Sequence, residues 1–510
     1  MKSLLSAFML LATVKGFSQP RYLNEVFTDV TVTSGVEYAQ NYSVLTGTPV
    51  LQSLVTDIYE PAGDTLSQRP LVLYFHASDF LPLMLNGSPV GDMHDSCAAE
   101  ICRRLARRGF VAASVDYRIG WNPISADQDI RTGTLLQAVY RGVQDARSCI
   151  RYFRMNASAQ GNTYRIDPDC ITVGGEGSSG YISTACASLN HYSELTLLKF
   201  ISSTNGQPYI DTTVFGNLEG FGGAAGMNND NWPGYPSNVS MVFNLEGAIG
   251  DSTWIEPGEA PMVSFHDVNN PGAPYTNGPV IGPAGYVVWV TGSHDMIRIA
   301  NQLGNNNVFN VSWNDPFTDR ADEVNEGWEG LFPIAQPDPS IIIPGNPYNG
   351  QWHPWQWWDS LDLQTVAPYY GIGSAQATAA YLSGFLTNPD MSKQKAMRYI
   401  DTVMGYLVPR IVQNCALPGF ISGIAAENEP ADDIRIYPVP ALDNFFIKAF
   451  GTIHEVQAVS LFDPSGRLVR EITTTHQSQV QINRSNLPAG MYLVKIKTDR
   501  GSVYRKVLMQ

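Results

Sequence analysis

The sequence predicts an α/β protein with a doubly wound, mostly parallel sheet and helices on both faces, followed by a small all-β sandwich. Continuous apolar segments such as Leu71–Phe75 alternate with helical stripes as far as Lys393–Val412. This alternation is typical of a parallel sheet buried between helices. From Ile434 onward, short segments of alternating polarity separated by turn residues replace that pattern, which indicates antiparallel strands packed as a sandwich.

Four divisions of the chain follow from these patterns. An apolar run from Leu4 to Val14, too short to span a bilayer and followed by small residues, predicts a secretory signal peptide. The stretch Ala425–Asp433 is acidic and has no apolar period, as expected of a linker. The predicted divisions are a signal peptide at 1–18, an α/β unit at 19–424, an acidic linker at 425–433 and the sandwich at 434–510.

The composition excludes several classes of function. The formal net charge of −15 provides no basic surface to displace phosphate counterions, so we expect no nucleic-acid partner. No segment after the signal peptide is long and apolar enough to predict a transmembrane helix. The 6 cysteines follow no zinc spacing, the acidic stretch Asp315–Glu326 lacks the spacing of a calcium loop, and we expect no metal or other cofactor. Those cysteines could form disulfides or remain buried thiols.

The first half of the α/β unit is predicted to be a β-hairpin followed by alternating strands and helices. Alternating residues at Val26–Thr33 and a second run that ends at Pro61 predict the hairpin, and the buried strand Leu71–Phe75 follows. A helix that ends at Gly109, the strand FVAASV and a helix over about Leu135–Met155 come next. In sheets of this kind, ligands bind beyond the carboxyl ends of the strands.

The segment Ile171–Ser183 is typical of a sharp turn from a strand into a helix. An apolar strand meets a glycine-dense corner, and a helix start of small residues follows. Such a corner leaves no room for large side chains two residues before and after its apex, and Gly175 and Ser179 meet that condition. The apex is then Gly177, which has no side chain that could act as a nucleophile.

The second half of the α/β unit combines further strands with two long loops. Residues 190–238 are irregular, and a stretch of that length is usually a lid or a binding loop. The runs SMVFNL, PMVSFHDV and YVVWVTG predict three more strands of the sheet, and HDMIRIANQLG predicts a helix. We expect a second long loop at 314–370, before helices near Ala375–Leu386 and Lys393–Val412.

Four blocks of the C-terminal sandwich carry a resemblance to a known family. IYPVPALDNF, SLFDPSGRLV, INRSNLPAGMYLVKI and the terminal RKVLM resemble the sorting domain of the type IX secretion system of Bacteroidetes. The resemblance implies export through the periplasm and across the outer membrane, with residues 434–510 engaging the secretion machinery. It also implies removal of the domain and a protein that is either released or held at the cell surface. The alternative is an ordinary β-sandwich binding module.

Over about residues 50–420, the chain resembles α/β-hydrolases of the carboxylesterase and lipase type. The blocks that carry this resemblance are RRGFVAASVDYRIGW, GVQDARSCIRYFRMNA, YRIDPDCITVGGEGSSG and GEAPMVSFHDVNNPGAPY, together with the late His353. Aligned with the GxSxG corner of that family, Gly177 takes the position of the nucleophilic serine. Asn270 takes the position of the acid and His353 that of the base, so the resemblance implies a vestigial triad.

The resemblance also places the oxyanion turn at His76-Ala77-Ser78-Asp79. The family has glycines there, and their loss restricts the backbone. The carboxylate of Asp79 would also oppose a developing anion. The chain thus differs from the family at the nucleophile, the acid and the oxyanion turn. Because of these three differences, we expect a secreted, catalytically inactive hydrolase-fold protein that binds a ligand or a surface.

The alternative is an active serine carboxylesterase or lipase-like hydrolase with a shifted nucleophile, Ser178. Its base would be His353, and its acid would be Glu246 or Asp251, because some related folds carry the acid after an earlier strand. Glu176, two residues before Ser178, would crowd the corner in that register.

Tryptophans surround His353 in the sequence. They are Trp352, Trp355, Trp357 and Trp358, with Trp328 farther away. Their rings could stack on a glycan or enclose an apolar small molecule, or they could pack the final helices against the sheet.

Overall fold

The computed structural model describes residues 21–311, 313–337, 350–418, 434–450, 453–463, 468–485, 487–498 and 501–509. The predicted signal peptide at 1–18 and the predicted linker at 425–433 lie outside the described residues. Contacts within the chain divide it into two compact units, an N-terminal one at 1–421 and a C-terminal one at 422–510.

The N-terminal unit is built on a mixed sheet. The strands of this unit are β1 (Val30–Ser43), β2 (Val50–Pro61), β3 (Arg69–Phe75), β4 (Val111–Val115), β5 (Ile166–Glu176), β6 (Met241–Leu245), β7 (Ala248–Ile249), β8 (Met262–Asp267), β9 (Asn277–Gly282), β10 (Gly285–Gly292) and β11 (Leu331–Ile334). The main sheet has the order β1-β2-β4-β3-β5-β6-β8-β11. The pairs β1–β2 and β2–β4 are antiparallel. Every later neighbouring pair is parallel, so the predicted mostly parallel sheet is confirmed.

Helices cover both faces of this sheet. They are α1 (Ser96–Arg108), α2 (Gln128–Ala159), α3 (Gly180–Ser188), α4 (Thr212–Phe215), α5 (Ser293–Gln302), α6 (Pro316–Asp322), α7 (Ser360–Val366), α8 (Ser374–Ser383) and α9 (Lys393–Asn414). Successive residues of β3 enter two different cores, as side chains on opposite faces of a strand must. Leu73 packs in the core that holds α2, α3 and α5. Tyr74 packs in the core that holds α1 and α9, so the doubly wound architecture is confirmed.

Two segments of the second half differ from the sequence prediction. The run YVVWVTG forms β10, which pairs with β7 and β9 in a separate antiparallel sheet. Its outward side chain Trp289 is 48% exposed, because a small sheet of this kind is covered on one side only. The expected loop at 314–370 contains α6, α7 and β11, and β11 is the last strand of the main sheet. The apolar run of β11 is only four residues long, too short to give a clear period.

The C-terminal unit is an all-β sandwich, as predicted. Its strands are β12 (Ile434–Tyr437), β13 (Asn444–Ala449), β14 (Val456–Phe462), β15 (Leu468–Gln477), β16 (Gln479–Asn483), β17 (Gly490–Thr498) and β18 (Gly501–Met509). They form two antiparallel sheets, β12-β13-β16 and β15-β14-β17-β18. Side chains from both sheets, such as Phe445 and Val494, share one buried core.

A disulfide between Cys170 and Cys415 joins β5 to the end of α9 across 245 residues of sequence. The other cysteines, Cys97, Cys102, Cys149 and Cys186, are buried free thiols. The sequence leaves open disulfides or buried free thiols. Two of the cysteines form a disulfide, and the other four are buried thiols.

Removing this disulfide should destabilise the N-terminal unit. We expect replacement of Cys170 and Cys415 by serine to lower the free energy of unfolding by about 2–5 kcal/mol, because the open chain regains loop entropy. Urea unfolding followed by tryptophan fluorescence measures the change. Dithiothreitol should lower the midpoint of the wild-type protein and leave that of the variant unmoved. An equal drop in both would show that this disulfide carries none of the effect.

Candidate functional site

The corner that follows β5 has Gly177 at its apex. β5 ends at Glu176, a short 3₁₀ turn covers Gly177–Ser179, and α3 follows. Gly177 has a φ of +55°, in the left-handed region that side chains other than glycine rarely adopt. A Cβ at residue 175 would lie 1.9 Å from the carbonyl oxygen of Ser179. The chain therefore turns as sharply here as the sequence predicts.

The apex of this corner faces an imidazole ring. A Cβ at residue 177 would lie 2.9 Å from Cε1 and 3.3 Å from Nε2 of His353. On its other side it would lie 3.3 Å from the Cβ of Ala77. A side chain at position 177 would thus contact the ring directly, and Gly177 presents no reactive atom to it.

His353 lies beside a buried carboxyl group. Its Nδ1 is 3.2 Å from Glu246 Oε2, but that oxygen already accepts the backbone N–H of His353 at 2.7 Å. The other oxygen, Oε1, accepts the backbone N–H of Asp267 at 3.2 Å. Nδ1 of His353 is buried and has no hydrogen bond with any described residue. The two side chains are adjacent, yet no well-directed hydrogen bond joins the ring to the carboxyl group.

Burial favours the neutral form of both groups. It lowers the pKa of His353 to about 3, with a smaller contribution from His266. It raises the pKa of Glu246 well above the usual value, and the nearby Asp267 carboxyl adds to the shift. An imidazole with so low a pKa is a weak general base at neutral pH.

Glu176 anchors the loop that carries His353. Its buried carboxyl group accepts hydrogen bonds from Tyr74 Oη at 2.7 Å, Trp355 Nε1 at 2.8 Å and Gln356 Nε2 at 2.6 Å. Sequence reasoning treated Glu176 only as a bulky neighbour of Ser178 and missed this role. The sequence offers one signal for this role. Glu176 comes directly before Gly177, so its side chain must point away from the apex and into the protein.

Ser178 points away from the base and into the oxyanion turn. Its Oγ accepts the backbone N–H of Ser78 at 3.1 Å and that of Asp79 at 2.9 Å. No hydrogen bond joins Ser178 to His353 in the part of the chain that the structure describes. The hydroxyl of Ser178 thus takes the two N–H groups that the resemblance assigns to an oxyanion.

Two residues at the oxyanion turn have a left-handed backbone although neither is a glycine. Asp79 and Phe80 adopt φ values of +51° and +54°, in the left-handed region. Strained residues of this kind persist only where the surroundings hold them, and they cluster at ligand sites. Glu246 and His353, at +61° and +49°, belong to the same strained group. Asp79 therefore adopts a left-handed conformation that a glycine would reach without strain.

The other two candidate acids serve as local caps. Asn270 Oδ1 accepts the backbone N–H groups of Gly272 at 2.7 Å and Ala273 at 3.0 Å. Asp251 accepts the N–H of Thr253 at 2.9 Å and forms an ion pair with Lys199 at 2.7 Å. Among Glu246, Asp251 and Asn270, the structure brings only Glu246 into contact with His353.

A cavity of about 270 Å³ opens from this corner. Its apolar part, called the deep end below, comes mainly from α2, α3, the segment 190–238 and the β9–β10 hairpin, with Leu189 and Trp254 beside them. The residues are Leu135, Leu136, Val139, Tyr140, Val143, Ala185, Leu189, Leu195, Phe200, Ile210, Trp254, Val280, Val288 and Val290. The irregular segment thus contributes directly to the cavity wall. Apolar cavities of this kind stay dry and bind apolar groups.

The corner end of the cavity is polar. Asp79, Ser178, Glu246, His353 and Asn270 all line it. No lysine or arginine occurs among the lining residues that the structure describes. Tryptophan rings form part of the wall here.

The predicted tryptophans divide between the cavity and the protein interior. Trp352 and Trp358 line the cavity. Trp355 is fully buried and hydrogen-bonded to Glu176, and Trp357 packs beside the α9 core. Trp328 lies against the core on the other face. The packing interpretation therefore holds for Trp355, Trp357 and Trp328, while a ligand contact for Trp352 and Trp358 stays a prediction.

Residues 435–510 match the family model described as the secretion system C-terminal sorting domain. The C-terminal unit is therefore a sorting domain, and it implies interaction with the type IX secretion machinery. The protein is exported to the cell surface or secreted. In the described part of the chain, no helix combines the length and the apolar character needed to cross a membrane.

None of the curated proteins compared with the chain matches it. Among solved structures, the Thermogutta terrifontis esterase 2 phosphorylated by paraoxon is 16% identical, with a TM-score of 0.30, over 49% of this chain and 74% of its own. A truncated carbohydrate esterase from gut microbiota is 16% identical, with a TM-score of 0.32, over 55% of this chain and 86% of its own. The class of protein follows from the strand order and the covered sheet. It is an exported protein with an α/β-hydrolase fold and a C-terminal sorting domain.

The ionisation of His353 gives a direct test of this site. Because burial lowers its pKa to about 3, the ring should stay neutral between about pH 5 and pH 8. Proton–carbon NMR of Cε1-labelled histidine, with His353→Gln for assignment, reports the titration. His94, whose pKa is raised by its hydrogen bond to Asp92, should titrate in the same spectra. A midpoint for His353 at or above the ordinary value would mean that Glu246 holds an imidazolium.

Proposed function

We propose that the N-terminal unit is a catalytically inactive hydrolase-fold protein that binds a small ligand in its cavity after export. The observation that carries the proposal is the direction of two neighbouring residues. The apex that faces His353 is Gly177, and the adjacent hydroxyl of Ser178 accepts the N–H groups of Ser78 and Asp79 instead. Among the described residues, no hydroxyl or thiol that could attack a carbonyl group is hydrogen-bonded to the base His353.

The ligand-binding part of the proposal rests on the cavity. Its deep end is apolar and enclosed by fully or largely buried side chains such as Phe200, Ile210 and Val290. A folded chain without a ligand ordinarily fills such space with its own side chains. An apolar cavity with a few polar groups at one end is the usual form of a small-molecule site.

The alternative is an active carboxylesterase that uses Ser178 with His353 and Glu246. It is favoured by the contact of 3.2 Å between His353 Nδ1 and Glu246 Oε2, since a retained base and acid are what such an enzyme needs. Ser178 would have to leave the N–H groups of Ser78 and Asp79 and turn toward His353. Those same N–H groups would then be free to bind the oxyanion.

Restoring the missing nucleophile separates these two functions. We expect the mature wild-type protein to hydrolyse p-nitrophenyl esters no faster than its His353→Ala variant. Gly177→Ser combined with Ser178→Ala should gain turnover, because it places a hydroxyl beside His353 and frees the oxyanion turn. The turnover of this double variant should exceed that of Gly177→Ser alone by at least about 10-fold, since one oxyanion donor contributes about 10²–10³-fold to the rate.

Two controls make the assay specific. Gly177→Ala adds the same Cβ without a hydroxyl and should stay inactive. Adding His353→Ala to the restored variant should remove its turnover. Wild-type turnover that is lost in both Ser178→Ala and His353→Ala would overturn the proposal and establish the active alternative.

A further inference from the structure

We infer that the cavity selects an organic cation with an apolar body, such as an alkyl ammonium compound, with Asp79 as its counter-ion. This inference rests on the proposed ligand-binding function and adds the chemical class of the ligand. It is carried by the charges that line the cavity and by the hydrogen bonds that Asp79 does and does not make.

The charged groups of the cavity wall are all acidic. Asp79 and Glu246 line it, and no described lining residue is a lysine or an arginine. The carboxyl group of Glu246 is buried, and each of its oxygens already accepts a backbone N–H group. Of the described carboxyl groups that line the cavity, Asp79 is therefore the one whose oxygens are open to a ligand.

The backbone of Asp79 is fixed on both sides, whereas its carboxylate has no partner. The N–H of Asp79 donates to Ser178 Oγ at 2.9 Å, and its carbonyl oxygen accepts Trp121 Nε1 at 2.7 Å. Among the described residues, no hydrogen bond or ion pair reaches its carboxylate oxygens. Asp79 is exposed to solvent as well as lining the cavity, and even a pKa raised to about 6 leaves its carboxylate ionised at neutral pH. Its charge is felt at Tyr181, where it reinforces the effect of burial in raising the pKa of the phenol.

Aromatic rings line the same cavity as this carboxylate. Outside the deep end they are Phe80, Trp121, Tyr181, Trp352 and Trp358. The face of an aromatic ring attracts a cation, most strongly where water is excluded. An ammonium group here would pair with Asp79 while its alkyl chain enters the apolar deep end.

An anionic ligand is disfavoured by the same atoms. The two N–H groups that could bind a carboxylate or phosphate are taken by Ser178 Oγ. An anion would therefore lose hydrating water beside the negative charge of Asp79, and it would gain no pair of N–H donors in return. A neutral ligand would fill the apolar end but gain nothing from the charge of Asp79.

Three probes of equal chain length test this selectivity. They are octyltrimethylammonium, 1-octanol and octanoate, each titrated below its aggregation limit into the mature protein while tryptophan fluorescence is followed. We expect the ammonium probe to bind at least about 10-fold more tightly than octanol, and octanoate to bind most weakly. Asp79→Asn should abolish the preference for the cation and leave octanol binding unchanged, because asparagine tolerates the left-handed backbone of residue 79.

A matched control removes the same charge elsewhere. Asp362→Asn, on the exposed surface of α7 and outside the cavity wall, should keep the full preference. Octanol that binds the wild-type protein as tightly as the ammonium probe, or a preference that survives Asp79→Asn, would overturn the inference and leave the proposed function standing. Failure of all three probes to bind would overturn ligand binding in this cavity altogether.

Discussion

The close backbone contact at the end of β5 is the constraint on which the pocket depends. A Cβ at residue 175 would lie 1.9 Å from the carbonyl oxygen of Ser179, and one at residue 180 would lie 2.1 Å from Asn244 Oδ1. The resulting turn directs residue 177 toward His353 and residue 178 toward the oxyanion turn. The close contacts at residues 175 and 180 involve neither the side chain of residue 177 nor that of residue 178, so the corner does not need a nucleophile at its apex to form.

Some polar groups around this corner have hydrogen-bond partners within the protein, and others have none among the described residues. Glu176 accepts three side-chain hydrogen bonds, and Ser178 accepts two from the backbone. In contrast, Nδ1 of His353 has no hydrogen bond among the described residues, and the carboxylate of Asp79 has none either. The satisfied groups hold the loops together, as buried polar groups must. Nδ1 of His353 lies against the buried carboxyl group of Glu246, whereas Asp79 is exposed and lines the cavity, where a ligand could pair with it.

Local spacing explains which features could be predicted from the sequence. The corner and its apex at Gly177 were predictable because the glycine pattern lies within one strand and one turn. The direction of Ser178 was not, since it depends on Ser78 and Asp79, which lie far away in the sequence. The choice among three candidate acids likewise depends on where the loop after β6 places Glu246. β11 was missed because its short apolar run lies in a region dominated by Pro, Gly and Trp.

Reaction with a fluorophosphonate tests the central claim, the absence of a working nucleophile, most directly. Such reagents form a covalent adduct with the activated serine of a serine hydrolase. We expect the intact mature wild-type protein to gain no mass, and the variant with Gly177→Ser and Ser178→Ala to be labelled at residue 177. An adduct mapped to Ser178 of the wild-type protein, and lost in His353→Ala, would show that Ser178 is a working nucleophile.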